Sequence, residues 1–426
     1  MSVQWKPVPA AASRGPGNPP GRVLAEGVDL NTLLQRANSG IEDIVAIRRD
    51  IHAHPELGFE EVRTSELVAR KLSEWGIEVT TGVGKLGVIG TIRGNRAGTK
   101  AVGLRADMDA LALTETNTLT HASCHPGKMH ACGHDGHTAM LLGAARALAA
   151  NPNFCGTVHL IFQPAEEGRG GALAMLEDKL FTRFPCDRIF GLHSYPTMPV
   201  GSFGTRPREF MSAAGRWQVT FNGSGGHGGL TPHLASDLTV VQANFVLGLQ
   251  AIVARNVPPV ETAIISVGHI NAGDPNAMNV MPSELRISGT MRAFTPAIQA
   301  LLERKIAELA TAHAAIHGAR AQVKCWWNTT AVVNDVEATQ SALRAATRVA
   351  GADLVNHDMQ RLTAGEDFSW MQRECPGSFV FIGNGQRKGD GGGHLHMPNY
   401  DFNDDALPYG VAYWLSVVQE ELGAAS

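Results

Sequence analysis

Residues 130 to 137 read His130-Ala131-Cys132-Gly133-His134-Asp135-Gly136-His137, and five of these eight side chains can bind a metal, move a proton or orient a ligand. Cys132 and His134 are two apart, so in an extended segment they point the same way. Gly133 between them lets the backbone bend until both reach one ion. Asp135 is a good N-cap for the apolar run Ala139 to Ala149. The segment therefore reads as a strand end or loop that delivers ligands at a helix start. A lone Cys-x-His is equally compatible with a buried cysteine beside surface histidines, so other parts of the chain must decide.

Three apolar strands end in comparable chemistry. Ala101 to Leu104 runs into Arg105-Ala106-Asp107-Met108-Asp109, two alternating carboxylates at the place where α/β sheets carry their sites. Gly156 to Phe162 ends in Gln163-Pro164-Ala165-Glu166-Glu167-Gly168, and Arg188 to Leu192 ends in His193. A glycine-rich loop, residues 383 to 393, then delivers His394-Leu395-His396-Met397-Pro398. Cys132, His134, Glu167, His193 and one of His394 and His396 make a mixed sulfur, nitrogen and oxygen set. Such a set suits Zn²⁺, Mn²⁺, Co²⁺ or Ni²⁺ rather than Ca²⁺ or Mg²⁺. Five protein ligands exceed what one four-coordinate zinc needs. Two ions sharing a bridging group, typically about 3.5–4 Å apart, fit better. Glu166 stands beside Glu167, so one can bind metal while the other takes a proton from water.

The elements that must position these groups are legible from periodicity. Helices are expected over Leu30 to His52 and Thr64 to Trp75, and strands over Ile77 to Thr80 and Gly87 to Ile92. Residues 212 to 327 read as strand (Trp217 to Phe221), helix (Ser236 to Arg255), strand (Thr262 to Ile270), strand (Glu284 to Phe294), helix (Pro296 to His317) and strand (Gln322 to Trp327). This β-α-β-β-α-β order is the ferredoxin-like pattern. Thr295 and Pro296 open its second helix and Gly318 closes it. The expected organisation is an irregular arm over residues 1 to 28, an α/β catalytic domain over 29 to 211 and 328 to 426, and an inserted domain over 212 to 327. In the returning half, a helix (Val336 to Val349), a strand (Ser378 to Ile382) and a last helix (Asp404 to Leu422) are expected.

Composition narrows the function classes. The 426 residues are 44% hydrophobic and 18% charged, with 36 basic and 40 acidic side chains. That is ordinary for a globular protein of about two domains. The near balance of charge gives no reason to expect nucleic acid or an anionic membrane as partner. No apolar run reaches the roughly 18 residues that span a bilayer, and the N-terminus has no apolar h-region of a secretory signal. The six cysteines lack the spacing of a disulfide scaffold, so reduced thiols and a cytoplasmic location are expected.

These segments resemble the metal-dependent amidohydrolases of the hippurate hydrolase and indole-acetyl-amino-acid hydrolase group, in the aminoacylase-carboxypeptidase superfamily. The resemblance is carried by Arg105 to Leu111, Met129 to His137, Pro164 to Gly168 and Gly191-Leu192-His193. In the inserted domain it rests on Gly225-Gly226-His227, Asn279-Val280-Met281-Pro282 and Gly289-Thr290-Met291-Arg292, and later on Gly365-Glu366-Asp367-Phe368 and Leu395 to Pro398. It implies a dinuclear-metallopeptidase-like catalytic domain with a ferredoxin-like lid that also dimerises. It implies metal ligation by Cys132, His134, Glu167, His193 and His396, with Glu166 as general base and Asp109 orienting a ligand histidine. His227 resembles the lid histidine that reaches across a dimer interface to a developing oxyanion. Asn279 and Arg292 resemble the pair that holds a substrate carboxylate. The sequence departs from the family pattern in Leu111-Ala112, where Leu-Pro is usual. It also carries one extra residue between His227 and His233, and the proline-rich arm has no counterpart.

The expectation is a hydrolase of C–N bonds with two divalent transition-metal ions, Mn or Zn, with Co or Ni as alternatives. It would cleave an N-acyl amino acid, or a similar small carboxylate-bearing amide, by metal-activated water. The alternative is an aminohydrolase that releases ammonia from an activated aryl amine or amidine at the same site. A structural metal protein is disfavoured, because a closed structural site needs no spare glutamate beside its ligand. Expected partners are a small-molecule substrate and further copies of the chain in a homodimer or higher oligomer.

Overall fold

A computed structural model describes residues 30–385, 388–389 and 391–423. The N-terminal arm expected over residues 1 to 28 lies outside the described residues. The main sheet has eight strands in the order Glu78–Val83, Gly87–Arg93, Cys155–Gln163, Arg96–Asp107, Arg188–Tyr195, Gly377–Gly383, Phe203–Gly204, Val355–Asn356. Its four central strands, Cys155–Gln163 to Gly377–Gly383, run parallel to one another, while the strands flanking them pair antiparallel. They are buried along nearly their whole length, apart from the exposed first residues of Arg96–Asp107. Parallel strands covered on both faces read as continuous apolar runs, which is why their sequence signal was strong. Helices Ile41–Ala53, His134–Ala150, Val336–Ala350 and Leu407–Leu422 pack into one core on one face. Helices Gly171–Glu177 and Phe368–Glu374 cover the other. Metal-competent side chains sit at or just beyond the C-terminal ends of three central strands, the crevice where open α/β sheets bind ligands.

The segment inserted after Met211 builds a second sheet, antiparallel, in the order Ala263–Ala272, Glu284–Ala293, Ala213–Asn222, Arg320–Trp327. Trp217, Val219 and Phe221 alternate on one face and pack against helices Leu238–Asn256 and Pro296–Ile316 in a separate core. The Thr295 side chain caps the second helix through the Ile298 N–H, with Pro296 at its first turn.

Four expectations need correction. The helix expected from Leu30 to His52 is two helices, Leu30–Asn38 and Ile41–Ala53, because Gly40 takes a left-handed conformation (φ 67°) between them. Asp135 does not cap the helix His134–Ala150; Gly133 holds that position at φ 85°. Asp135 lies in the first turn, fully buried, with its carboxylate turned to Arg48 and His52. His193 is inside its strand, which continues to Tyr195. Helix Leu238–Asn256 has the length and mean hydropathy of a membrane span, which a count of uninterrupted apolar runs passes over. Its Leu238, Val241, Phe245, Leu249 and Ile252 are buried in the second core.

Candidate metal centre

Four chain segments converge on one cluster. Gly133 turns the chain sharply between Cys132 and His134, and no larger residue fits there. A Cβ on Gly133 would stand 2.6 Å from Tyr400 Oη and 2.7 Å from Ser194 Oγ. Two non-glycine residues beside the cluster also adopt left-handed backbone, Ala165 (φ 55°) before Glu166 and His396 itself (φ 64°). Such conformations cost roughly 1–3 kcal/mol each and persist where the surroundings over-determine them. The His396 turn is pinned by its N–H donating to Ala131 O at 2.7 Å.

Potential ligand atoms of Cys132, His134 and His193 lie within 4.8 Å of one another. The same holds for Cys132, Glu167 and His396, and for His134, Glu166 and Glu167. These overlapping triads bring together all five residues expected to hold metal. Cys132 Sγ is 3.4 Å from His193 Nε2, and Glu167 Oε1 is 3.2 Å from His396 Nε2. His394 is exposed and in none of these groups, whereas His396 is in one. His134 Nδ1 and Nε2 and Glu167 Oε1 are buried and make no well-aligned hydrogen bond, only ion-pair contacts such as Asp109 Oδ1 at 3.3 Å from His134 Nδ1 and His396 Nε2 at 3.2 Å from Glu167 Oε1. Buried polar atoms rarely stay unsatisfied. A thiol, three imidazoles and a carboxylate converging with idle donor atoms fit a divalent metal pair.

The electrostatics follow from burial and neighbours. Burial opposes the charged form of His134, but Asp107, Cys132 and Asp109 outweigh it and raise its pKa well above the ordinary value. His193 is pushed well down by burial and by His137. His396 is raised to about 10 by hydrogen bonds to Cys132 and Glu167. Burial and Glu167 raise the Cys132 thiol. Glu166 is raised well above the carboxylate range by burial, then by Glu366, Glu167 and Asp367. Glu167 is buried too, yet His396 and His134 hold it low.

The supporting groups are specific. Asp109 accepts from the Glu166 N–H at 3.0 Å and the Glu167 N–H at 2.9 Å, and its Oδ1 faces His134 Nδ1 at 3.3 Å. His137 Nδ1 donates to Asp107 Oδ1 at 2.6 Å while its Nε2 accepts from the Ser194 N–H at 2.8 Å. Arg105, fully buried, donates to Gln163 (2.8 Å), Asp107 (2.6 Å) and Glu366 (2.9 Å). The Asp367 N–H reaches Glu166 Oε1 at 3.3 Å. Asp107, His137, Arg105, Glu366 and Asp367 lie in motifs the sequence displayed, but the sequence alone assigned none of them a role in the site. Charged residues in an otherwise apolar strand or beside a helix start were the available signal.

A cavity of about 360 Å³ opens above the cluster. Cys132, Glu166, Glu167, His193 and His396 line one side, and Arg216, Thr290 and Arg292 from the second sheet line the other. Arg292 is fixed by donating to Thr363 O (3.1 Å) and Met291 O (3.0 Å). His227 and Asn279 do not join this cavity. His227 lies on a short strand paired with Val280, and the Gly228 N–H donates to Asn279 O. The two residues are neighbours, both exposed, away from the metal cluster.

The sequence model of "Peptidase family M20/M25/M40" matches residues 103–420. The chain is 37% identical over 376 residues to the hippurate hydrolase of Campylobacter jejuni, covering 88% of this chain and 96% of that protein. It is 38% identical over 384 residues to IAA-amino acid hydrolase ILR1-like 2 of Arabidopsis thaliana, covering 89% and 85%. It is similar to the solved structure of the Bacillus subtilis YXEP protein, described as a dinuclear metal-binding peptidase from the M20 family. The TM-score is 0.76 and the identity 31%, over 89% of this chain and 97% of that one.

Proposed function

The chain belongs to peptidase family M20/M25/M40 and is a metal-dependent amidohydrolase, and we propose from that premise that it cleaves the amide bond of an N-acyl amino acid or a similar small carboxylate-bearing amide. The observation that carries this reading is the cavity itself, with the ligand cluster on one side and Arg292 on the other. Relatives named hippurate hydrolase and IAA-amino acid hydrolase support the same substrate class.

Cys132, His134, Glu167, His193 and His396 would hold two divalent ions, Mn²⁺ or Zn²⁺ ahead of Co²⁺ or Ni²⁺, and such ions would supply a water of lowered pKa and a polarised amide carbonyl. Glu166 takes the proton from that water and returns it to the leaving nitrogen. Asp109 positions His134 and the Glu166-Glu167 backbone. Arg292 offers its guanidinium to the substrate carboxylate.

The inserted segment, residues 212 to 327, is read as a ferredoxin-like lid on a catalytic domain formed by residues 29 to 211 and 328 to 426. His227 and Asn279, exposed and away from the cavity, are read as serving the site of a second copy in a homodimer or higher oligomer through the lid. A monomer in gel filtration at working concentration contradicts that assembly. All six cysteines are free, which fits a reducing cytoplasm.

The test compares an N-acyl amino acid with its α-carboxamide on metal-loaded protein. The acid is hydrolysed, and the carboxamide loses on the order of tenfold to a hundredfold in kcat/KM. Equal rates on both overturn the carboxylate-bearing substrate.

A further inference from the structure

Strand Ala213–Asn222 alternates sharply. Trp217, Val219 and Phe221 are buried against the helices, and Arg216 points to the opposite face. That face closes the cavity over the metal cluster, where Ala214, Gly215 and Arg216 all line the wall. In the register with the neighbouring strand, Arg216 is opposite Thr290 and Ala214 is opposite Arg292. Arg216 and Arg292 are therefore diagonal cross-strand neighbours on one face, a placement that puts Cα atoms roughly 7–8 Å apart.

Like charges in that arrangement repel. Burial and then Arg216 lower the pKa of Arg292, with no acidic group acting on it in return. Arg292 is held by two backbone carbonyls, and among the described residues neither guanidinium forms an ion pair with a carboxylate. The acidic groups that share the cavity are Glu166, Glu167 and Glu366. They are engaged elsewhere: Glu366 with Arg105, Glu167 with His396, and Glu166 with the Asp367 N–H. Two cations therefore face the same cavity without an anion of the protein's own. A monocarboxylate neutralises one of them. A substrate with two carboxylates held a few bonds apart neutralises both and removes the repulsion.

We propose that Arg216 forms a second carboxylate subsite beside Arg292, so that the amino acid released by this amidohydrolase is a dicarboxylic one of the aspartate or glutamate type. This rests on the amide-hydrolase reading, in which the α-carboxylate meets Arg292. Arg216 then receives the side-chain carboxylate as a bidentate partner.

The experiment uses metal-loaded full-length protein and two substrates with one acyl group, N-acyl-L-glutamate and N-acyl-L-glutamine, with N-acylglycine as reference. Wild type prefers the glutamate substrate by about tenfold to a hundredfold in kcat/KM, the range of a hydrogen-bonded charge pair. In Arg216→Gln the glutamate-to-glutamine ratio falls towards one, and the loss is in KM rather than kcat. Arg216→Lys keeps part of the preference, because charge remains while the fork is lost. Calorimetry of free L-glutamate against L-glutamine on the same proteins asks the same question without turnover. A wild-type ratio near one overturns the proposal. So does an equal loss on both substrates in Arg216→Gln, which would mean that the two arginines clamp one carboxylate. If no N-acyl amino acid is hydrolysed, the amide-hydrolase reading fails, and the calorimetric pair still decides the subsite.

Discussion

Asp109 Oδ1 stands 3.3 Å from Nδ1 of His134, and the same carboxylate accepts the backbone N–H groups of Glu166 and Glu167. One side chain thus ties a helix start to the turn after a neighbouring strand. Asp109→Ala is expected to weaken metal affinity by about tenfold to a hundredfold. Titration of the metal-free protein with Mn²⁺ or Zn²⁺, followed by bound-metal analysis, checks this. Wild-type affinity in the variant would remove Asp109 from the support of the site.

Glu166→Gln keeps the shape of the site and removes the proton acceptor. Metal content is expected to stay at the wild-type level while kcat falls by about 10²–10⁴. Metal analysis and turnover on one preparation separate the two effects. If metal is lost together with activity, Glu166 is a ligand rather than the base.

Arg48 is fully buried and donates to Asp401 (2.7 Å), Asp404 (2.8 Å) and Asp135 (3.2 Å). Removing one partner of a buried ion network leaves charges uncompensated and typically costs about 3–5 kcal/mol. Arg48→Met is expected to destabilise the protein by that order, read by chemical denaturation. Because Asp135 follows His134, the variant should also hold metal less tightly.

His52 is buried with Nδ1 at 2.8 Å from Asp135 and Nε2 at 3.3 Å from Glu115. Burial opposes its charge, but Asp135 and Glu115 outweigh burial and raise its pKa to about 9 from the ordinary 6.5. A raised folded-state value stabilises the fold fully below the unfolded pKa, and that stabilisation is lost as pH rises through the folded one. The metal-free protein should therefore lose on the order of 3 kcal/mol between about pH 6.5 and pH 9. In His52→Gln the slope over that window should flatten, as followed by thermal unfolding. An unchanged slope would assign the loss to other groups.

What the sequence disclosed depended on how local each feature is. Cys132 and His134 are set by a short motif at a helix start, and Glu167 and His193 lie just after or inside central strands whose burial made their apolar runs plain. Asp135 misled because it has the chemistry of a cap, but Arg48, 87 residues away in the chain, takes its carboxylate instead. Gly40 was hidden by apolar positions that keep helical spacing on both sides of the break. Glu366 and Asp367 stood in a resembling motif without an assigned role. Their place beside Glu166 depends on Arg105, whose Nη2 reaches Glu366 across 261 positions of sequence. His227 and Asn279 looked like members of the site, whereas within one copy they lie apart from it. Arg216 had no motif, and only the pairing of its strand with the one carrying Arg292 reveals it.

The central claim is that this metal site hydrolyses an amide. The direct measurement is product identity in a single reaction. Metal-loaded protein is offered N-acyl amino acids and, separately, aryl amines, and free amino acid, carboxylic acid and ammonia are each quantified with and without a chelator. The account predicts amino acid and carboxylic acid in equal amounts, no ammonia, and loss of both products with chelator. Ammonia from a substrate that has no amide bond, or amide cleavage that survives complete metal removal, would contradict it.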